Sequence, residues 1–364
     1  MSKRTTALIL AVGMLLTACG TDADTPTTPT DGSGPAETTT TASPPETLTI
    51  ISHDSFAGGV TDETFAAFTA ETGIEVEVLP AGDAGSMTNQ AILTKDNPVA
   101  DVLFGIDDSF LSRAFDESIF EPYESPLLAD VPDQLEIDPE HRVTPIDYGD
   151  VCVNYDVSAY AATAPPLNIE QLANPEFAAE LVVESPATSS PGLAFLLATI
   201  ATFGEDGWQG YWTELVANGV NIVSDWDTAY YQEFSHWGGD DSLVVSYASS
   251  PPAEVIFAEP PVDAAPTGVI DETCYRQIEF AGILTGSDDV AAAQLLVDFM
   301  LSPGFQESIP LTWFVFPANE SVQLPREFLD YTIIPASPIS LDPALVEANR
   351  ERWIEEWSEL VLGS

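Results

Sequence analysis

The stretch "SDWDTAYYQEF", residues 224–234, sets Trp226 between Asp225 and Asp227, with Tyr230 and Tyr231 one helical turn further on. An indole beside two carboxylates offers a flat π face and negative charge to one partner. That combination suits a flat cation. A cation over an aromatic face contributes about 0.5–2 kcal/mol, and nearby carboxylates add Coulomb attraction once water is excluded. The paired tyrosines raise a second chemistry, because phenolate oxygens suit a hard ferric ion. Further polar clusters occur at "HDSF" (53–56), "AGDAGS" (81–86), "GIDDS" (105–109) and "SYASS" (246–250). No GxSxG, HExxH, phosphate-loop or dinucleotide glycine fingerprint is found.

The elements that must position these clusters alternate. "TLTIIS" (47–52), "IEVEVLP" (74–80) and "ADVLFGI" (100–106) read as strands, separated by helical patterns at 62–73 and 85–97, the second opening at Ser86. A helix at 109–120 follows. A second block carries strand-like runs at 142–156, 220–223, 242–251 and 274–284, with helical runs at 190–204, 207–219 and 289–301. The tail, 342–360, is amphipathic with Trp353 and Trp357 on one face. This order implies an α/β fold with mostly parallel sheet and right-handed crossovers. The polar clusters each follow a strand, and ligands of open α/β sheets bind beyond the carboxyl ends of strands. Clusters from two blocks would meet in a cleft between two lobes.

The ends and the composition bound the compartment. Lys3 and Arg4 precede an apolar run too short to span a bilayer, and "LTAC" (16–19) follows as a cleavage box. This is an export signal, and the pattern resembles the bacterial lipoprotein signal, in which Cys19 would carry lipid. Acyl burial at about 0.8 kcal/mol per methylene would then hold the chain on a membrane. Residues 20–46, rich in Thr, Pro, Asp and Gly, read as a tether without a core. The chain has 59 acidic and 9 basic residues, a formal net charge of −50. Phosphate neutralisation needs bases, so nucleic acid is not an expected partner. A salt-rich exterior, where carboxylates stay hydrated and repulsion is screened, is one reading of that surface. Cys152 and Cys274 remain as an even pair in an exported chain, and a disulfide is expected.

"LTIISHDSFAGG", "ADVLFGIDDSFL", "PIDYGDVCVNYD", "SPATSSPGLAFLL", "SDWDTAYYQEF", "LVVSYASSP", "FMLSPGFQESIP" and "RERWIEEW" occur in an order that resembles the thiamine-binding proteins of bacterial ABC importers. The likeness spans roughly residues 47–360. It implies a type II periplasmic-binding-protein fold, two α/β lobes joined by crossing hinge strands. The corresponding division is a signal at 1–18, a tether at 19–46, lobe 1 at 47–147, lobe 2 at 148–273, a return to lobe 1 at 274–316, and C-terminal helices at 317–364 packing mainly on lobe 2. The resemblance makes Trp226 the stacking ring and Tyr247 a second wall. It places Asp54, Ser55, Asp83, Ser86, Asp107, Tyr230 and Trp313 at the cleft. Ser189 and Ser190, before a helix N-terminus, would suit an anion such as a phosphate ester. It puts Cys152 and Cys274 on the crossing strands. Two positions depart from the family: His53 stands where it carries tyrosine, and Ala253 where it carries an aromatic residue.

The implied function is capture of thiamine or a thiamine phosphate outside the cell and delivery to a permease with its ATPase, by a monomer without cofactor or catalysis. Two alternatives share the fold. A ferric-binding protein would use the tyrosine pair with a histidine and a carboxylate, and of His53, His141 and His236 only His53 follows a cleft-type strand. A thiamine-related enzyme would need a nucleophile, for which Cys152 is the candidate, and a bonded cysteine cannot attack.

Overall fold

The computed structural model describes residues 47–363; the signal, Cys19 and the tether lie outside them. The strands are β1 (Thr47–Ser52), β2 (Glu75–Pro80), β3 (Val102–Asp107), β4 (Phe120–Glu121), β5 (Thr144–Asp156), β6 (Leu181–Glu184), β7 (Asn221–Val223), β8 (Leu243–Tyr247), β9 (Thr267–Leu284) and β10 (Phe316–Pro317). They form one sheet in the order β2-β1-β3-β9-β5-β8-β6-β7, with β4 beside β9 and β10 beside β5. β1 pairs in parallel with β2 and β3, and β6 in parallel with β7 and β8. Each parallel block has a wholly buried strand, β3 in one and β6 in the other, as sheets covered by helices on both faces require.

Between the blocks run the two longest strands, β5 and β9, antiparallel from Thr144 opposite Ala281 to Asp156 opposite Thr267. The C-terminal part of β9 pairs with β3, and the C-terminal part of β5 pairs with β8. Each strand thus starts in one lobe and ends in the other. These are the crossing strands of a type II binding-protein fold.

The register between them slips next to Cys152. Val151 faces Tyr275 but Val153 faces Ile270, so extra β9 residues bulge out. Thr273 closes the bulge, donating to the Ile270 carbonyl (2.7 Å) and accepting from Val153 N–H (2.8 Å). Cys152 and Cys274 meet there in a disulfide, Cα to Cα 4.1 Å, a little closer than the usual ~4.4–6.8 Å.

Several boundaries differ from the sequence reading. β9 begins at Thr267, ahead of the expected 274. The helix expected to open at Ser86 runs Ala84–Leu93 with Asp83 at its N-cap position. The expected helix over 109–120 shortens to Leu111–Asp116, and the chain then turns into β4. The strand expected to reach 251 ends at Tyr247, where a helix, Ser250–Ile256, begins.

The final helix, Pro343–Leu362, buries Trp353 and Trp357 completely. Trp357 meets Trp212 edge to face at 5.4 Å, and Trp353 Nε1 donates to Glu205 (2.7 Å). Its Arg350 is buried with the guanidinium 5.2 Å above the Phe110 ring.

Candidate functional site

A cleft of about 1010 Å³ opens where the strand ends of the two lobes face one another. Its stacking wall is built by the "SDWD" segment. Asp225 caps a short helical turn by accepting from Thr228 N–H (2.8 Å). The chain then widens into a π turn over Ala229–Glu233, closed by Phe234 N–H on the Ala229 carbonyl (3.0 Å). Such turns insert one residue and re-aim the side chains around them. Here Tyr230 and Phe234 enter a small core with Val182 and Val244, and Trp226 lies half-buried on it. Trp226 stacks on Tyr230, centroids 4.9 Å apart at 17°. Its Nε1 donates to Ser246 (3.0 Å) and its backbone N–H to Asp83 (3.2 Å). The indole is therefore fixed in plane before any ligand arrives.

Opposite stands Trp313, stacked on Phe56 (4.8 Å, 25°) with Nε1 donating to the Phe56 carbonyl (3.1 Å). Tyr247 adds another half-buried ring. His53 caps the helix Asp54–Gly59 through Nδ1, which accepts from Phe56 N–H (3.1 Å). That bond leaves Nε2 to face Glu279 at 3.5 Å. Burial lowers the basicity of His53, but Glu279, Asp83 and Asp54 more than offset it and raise its pKa.

The cleft floor and rim are acidic. Asp54 accepts from Gly82 N–H (2.9 Å). Burial pushes Asp83 up to about 6, against the opposing pull of the Ser189 hydroxyl, His53 and the Trp226 N–H. Asp147 and Glu279 face each other across β5 and β9, and burial together with Glu279 raises Asp147 well above the carboxylate range. Asp227 lies on the wall beside Trp226, raised by burial and by Asp225. Glu254 accepts from Tyr230 Oη (2.7 Å) and pairs with His236 Nε2 (2.7 Å). No group of three or more His, Cys, Asp or Glu side chains converges as a metal site among the described residues. The Tyr230 and Tyr231 rings stand at 86° to each other.

Of the residues named from the sequence, Asp54, Ser55, Asp83, Ser190, Trp226, Tyr230, Tyr247 and Trp313 line the cleft. Ser86, Asp107 and Ser189 are not on its lining. Ser86 lies within the first turn of its helix. Asp107 is buried beneath the cleft, accepting from Ser109 N–H (2.7 Å) and from the hydroxyls of Ser109 and Ser190. Asp108 accepts from Ile278 N–H (3.0 Å) on β9. Ser189 is wholly buried at the N-cap position of the helix Ser190–Phe203. Both departures from the family pattern, His53 and Ala253, face the cleft, as do Tyr231, Trp237 and Phe257, which sequence reasoning did not place there.

Contacts that join the lobes beside the cleft include Asp83 with Trp226, Asp107 with Ser190, Gly85 N–H with the Thr188 carbonyl (3.1 Å), and the Ser249 hydroxyl with the Phe314 carbonyl. Gly85 is glycine because the backbones touch there. A Cβ would lie 2.8 Å from the Ala187 carbonyl oxygen and 3.0 Å from Thr188 Cα.

Residues 97–250 match a family model described as bacterial extracellular solute-binding protein. The thiamine-binding periplasmic protein of Escherichia coli (strain K12) is 31% identical over 317 residues, 86% of this chain and 92% of that one. A solved periplasmic thiamin binding protein superposes with TM-score 0.76 at 27% identity, covering 86% of this chain and 96% of its own. Iron-bound HitA from Pseudomonas aeruginosa shares the fold, with TM-score 0.70 at 18% identity over 87% of this chain and 99% of its own.

Proposed function

The chain belongs to the thiamine-binding periplasmic proteins, solute-binding components of bacterial ABC importers, and from that we propose that its cleft closes over thiamine or a thiamine phosphate. The observation that carries this is the Trp226 plane, locked by Ser246, Asp83 and Tyr230 and surrounded by carboxylates. A thiazolium over that face gains the cation–aromatic contribution, and the acids supply attraction in a partly desolvated site.

The protein is exported and hands a small molecule to a membrane permease. We further propose that Cys19 becomes the lipid-bearing first residue of the mature chain, that an ATPase drives the permease, and that the protein acts as a monomer leaving its ligand unaltered. The two lobes rotate about β5 and β9, a hinge motion of known type.

Calorimetric titration of the mature chain with thiamine tests the reading. Stoichiometric binding with quenched tryptophan fluorescence and no product is expected. A visible charge-transfer band with ferric citrate, together with silence toward thiamine, would replace it with iron capture.

A further inference from the structure

The final helix, Pro343–Leu362, touches both lobes. Its C-terminal half is bound to lobe 2. There Trp357 packs on Trp212, Trp353 Nε1 donates to Glu205, Arg352 pairs with Glu205 (3.0 Å), and Gln209 donates to Glu356 (3.2 Å). The chain ahead of the helix is fastened to the hinge, with Ile339 N–H donating to the Cys274 carbonyl of β9 (2.7 Å). The N-terminal half reaches lobe 1. Glu347 stands near Arg142, which Asp138 chiefly holds. Arg350 is buried with its guanidinium carbon 5.2 Å above the Phe110 ring.

Burying a guanidinium for packing alone is costly. Arg350 donates from one nitrogen to Glu351 (2.6 Å), whose side chain is exposed, and its Nε has no protein partner among the described residues. Burial lowers its basicity; Glu351 and Asp107 work against that, and Arg113 adds to it. Asp107 is the acid on the lobe 1 side. Its carbonyl accepts from Phe110 N–H (3.0 Å), the residue under the guanidinium. Its buried carboxylate holds the Ser190 hydroxyl of lobe 2. Phe110 also backs the next contact between the lobes. Its Cζ lies 3.0 Å from where a Cβ on Gly85 would stand, and Gly85 N–H binds the Thr188 carbonyl of lobe 2. Arg350 thus stands behind two contacts that join the lobes, and it does not line the cleft.

We propose that Arg350 is a positioning residue for lobe closure: carried by a helix anchored on lobe 2, it is the counter-charge that lets Asp107 hold Ser190 as a carboxylate. The two groups act on each other through the field of a water-poor interior, where opposite charges attract across more than a contact distance. A charged acceptor binds a hydroxyl more strongly than a neutral one. Without its counter-charge a buried carboxylate takes up a proton or draws water in, and either loosens its grip on Ser190. Opening about β5 and β9 would draw the guanidinium off Phe110, since the helix stays with lobe 2, so the attraction belongs to the closed form.

The test combines X-ray scattering of the unliganded mature chain with its calorimetric titration by thiamine, in Arg350→Met, Arg350→Lys, and the double variant Arg350→Met with Asp107→Asn. Arg350→Met should expand the molecule and bind thiamine about tenfold more weakly. Arg350→Lys keeps the charge and should lie near the wild type. The double variant should recover compactness and most of the affinity, because the uncompensated acid is gone and Asn still offers an oxygen to Ser190. A role in packing alone would give Met and Lys equal losses and make the double variant weaker than Arg350→Met. That pattern overturns the inference, as does an Arg350→Met chain that stays compact at full affinity. If Arg350→Met does not fold, the double variant decides: it should fold and close, and its failure as well would overturn the counter-charge role. The affinity arm rests on the thiamine reading above, and the scattering arm does not. A chain that ignores thiamine, yet expands in Arg350→Met and recovers in the double variant, refutes the ligand and leaves this inference standing.

Discussion

Trp226 concentrates the chemistry of the site, and its removal is the most direct probe. Trp226→Ala should weaken thiamine binding by about 1–3 kcal/mol, the range for a desolvated cation–aromatic anchor, with fold stability measured in parallel by thermal melting. Binding at wild-type strength would remove Trp226 from the site. Asp83 makes a prediction with a sign. Its carboxyl is raised from 3.8 to about 6 by burial. A raised carboxyl contributes stability that is complete below its ordinary value and is lost as pH climbs through about 6. Ionised Asp83, in contrast, attracts the cation. Acid also charges His53, whose pKa is raised, and that opposes a cationic ligand. Thiamine affinity should therefore fall as pH drops through about 6, and binding near that pH should release protons, read from calorimetric heats in buffers of different ionisation enthalpy. Asp83→Asn should melt higher than wild type at neutral pH and yet bind thiamine more weakly. What the sequence made legible here were the acids and rings that follow strands. Asp107 follows a strand too, but its side chain turns under the Ser109 and Ser190 hydroxyls. Asp147 and Glu279 escaped notice because they sit in mid-strand. The available signal was a lone acid inside each of the apolar runs "PIDYG" and "QIEFAG", since a buried unpaired carboxylate is costly.

The long crossing strands β5 and β9 were legible as strands but not in extent. β9's first residues, "TGVIDE" (267–272), carry acids and a glycine and read as loop. They are strand because β5 offers them a ladder, so tertiary pairing overrides local preference. β6 was not found at all. "LVVE" is four residues long and follows two helical turns, Ile169–Leu172 and Pro175–Ala178. A run that short carries no period. The cysteine pair was legible, and the structure adds that it sits at a bulge. With the cysteines 122 positions apart in sequence, the chain-entropy figure is about 4–5 kcal/mol, and measured losses run about 2–4 kcal/mol. The double variant Cys152→Ser with Cys274→Ser should lose stability in that range by denaturant unfolding while still binding thiamine. An unchanged unfolding midpoint would show that the bond restrains nothing the strands do not already hold.

The two-lobed molecule is closed over its cleft by contacts that the alternation of strand and helix cannot reveal, because they join segments remote in sequence. Gly85 is a point where the backbones of the two lobes touch. Gly85→Val should hold the lobes apart, since a side chain there meets backbone at 2.8 Å and backbone cannot give way as a flexible side chain can. The expected result is a larger radius of gyration in X-ray scattering and weaker thiamine binding. Compact scattering and normal affinity in that variant would mean the approach at Gly85 is not needed for closure. The bridges at Asp83–Trp226, Asp107–Ser190, Gly85–Thr188 and Ser249–Phe314 also have a consequence in time. They are bonds the protein makes to itself, so each must break before anything enters or leaves. Capture would then be gated. In stopped-flow fluorescence the observed rate should level off at high thiamine concentration, at the opening rate, instead of rising without limit. Escape would be limited by the same step, so the bound vitamin's lifetime would be a property of the latch as much as of the ring it rests on, and a permease that pries those contacts apart could unload it without competing for the ligand at all.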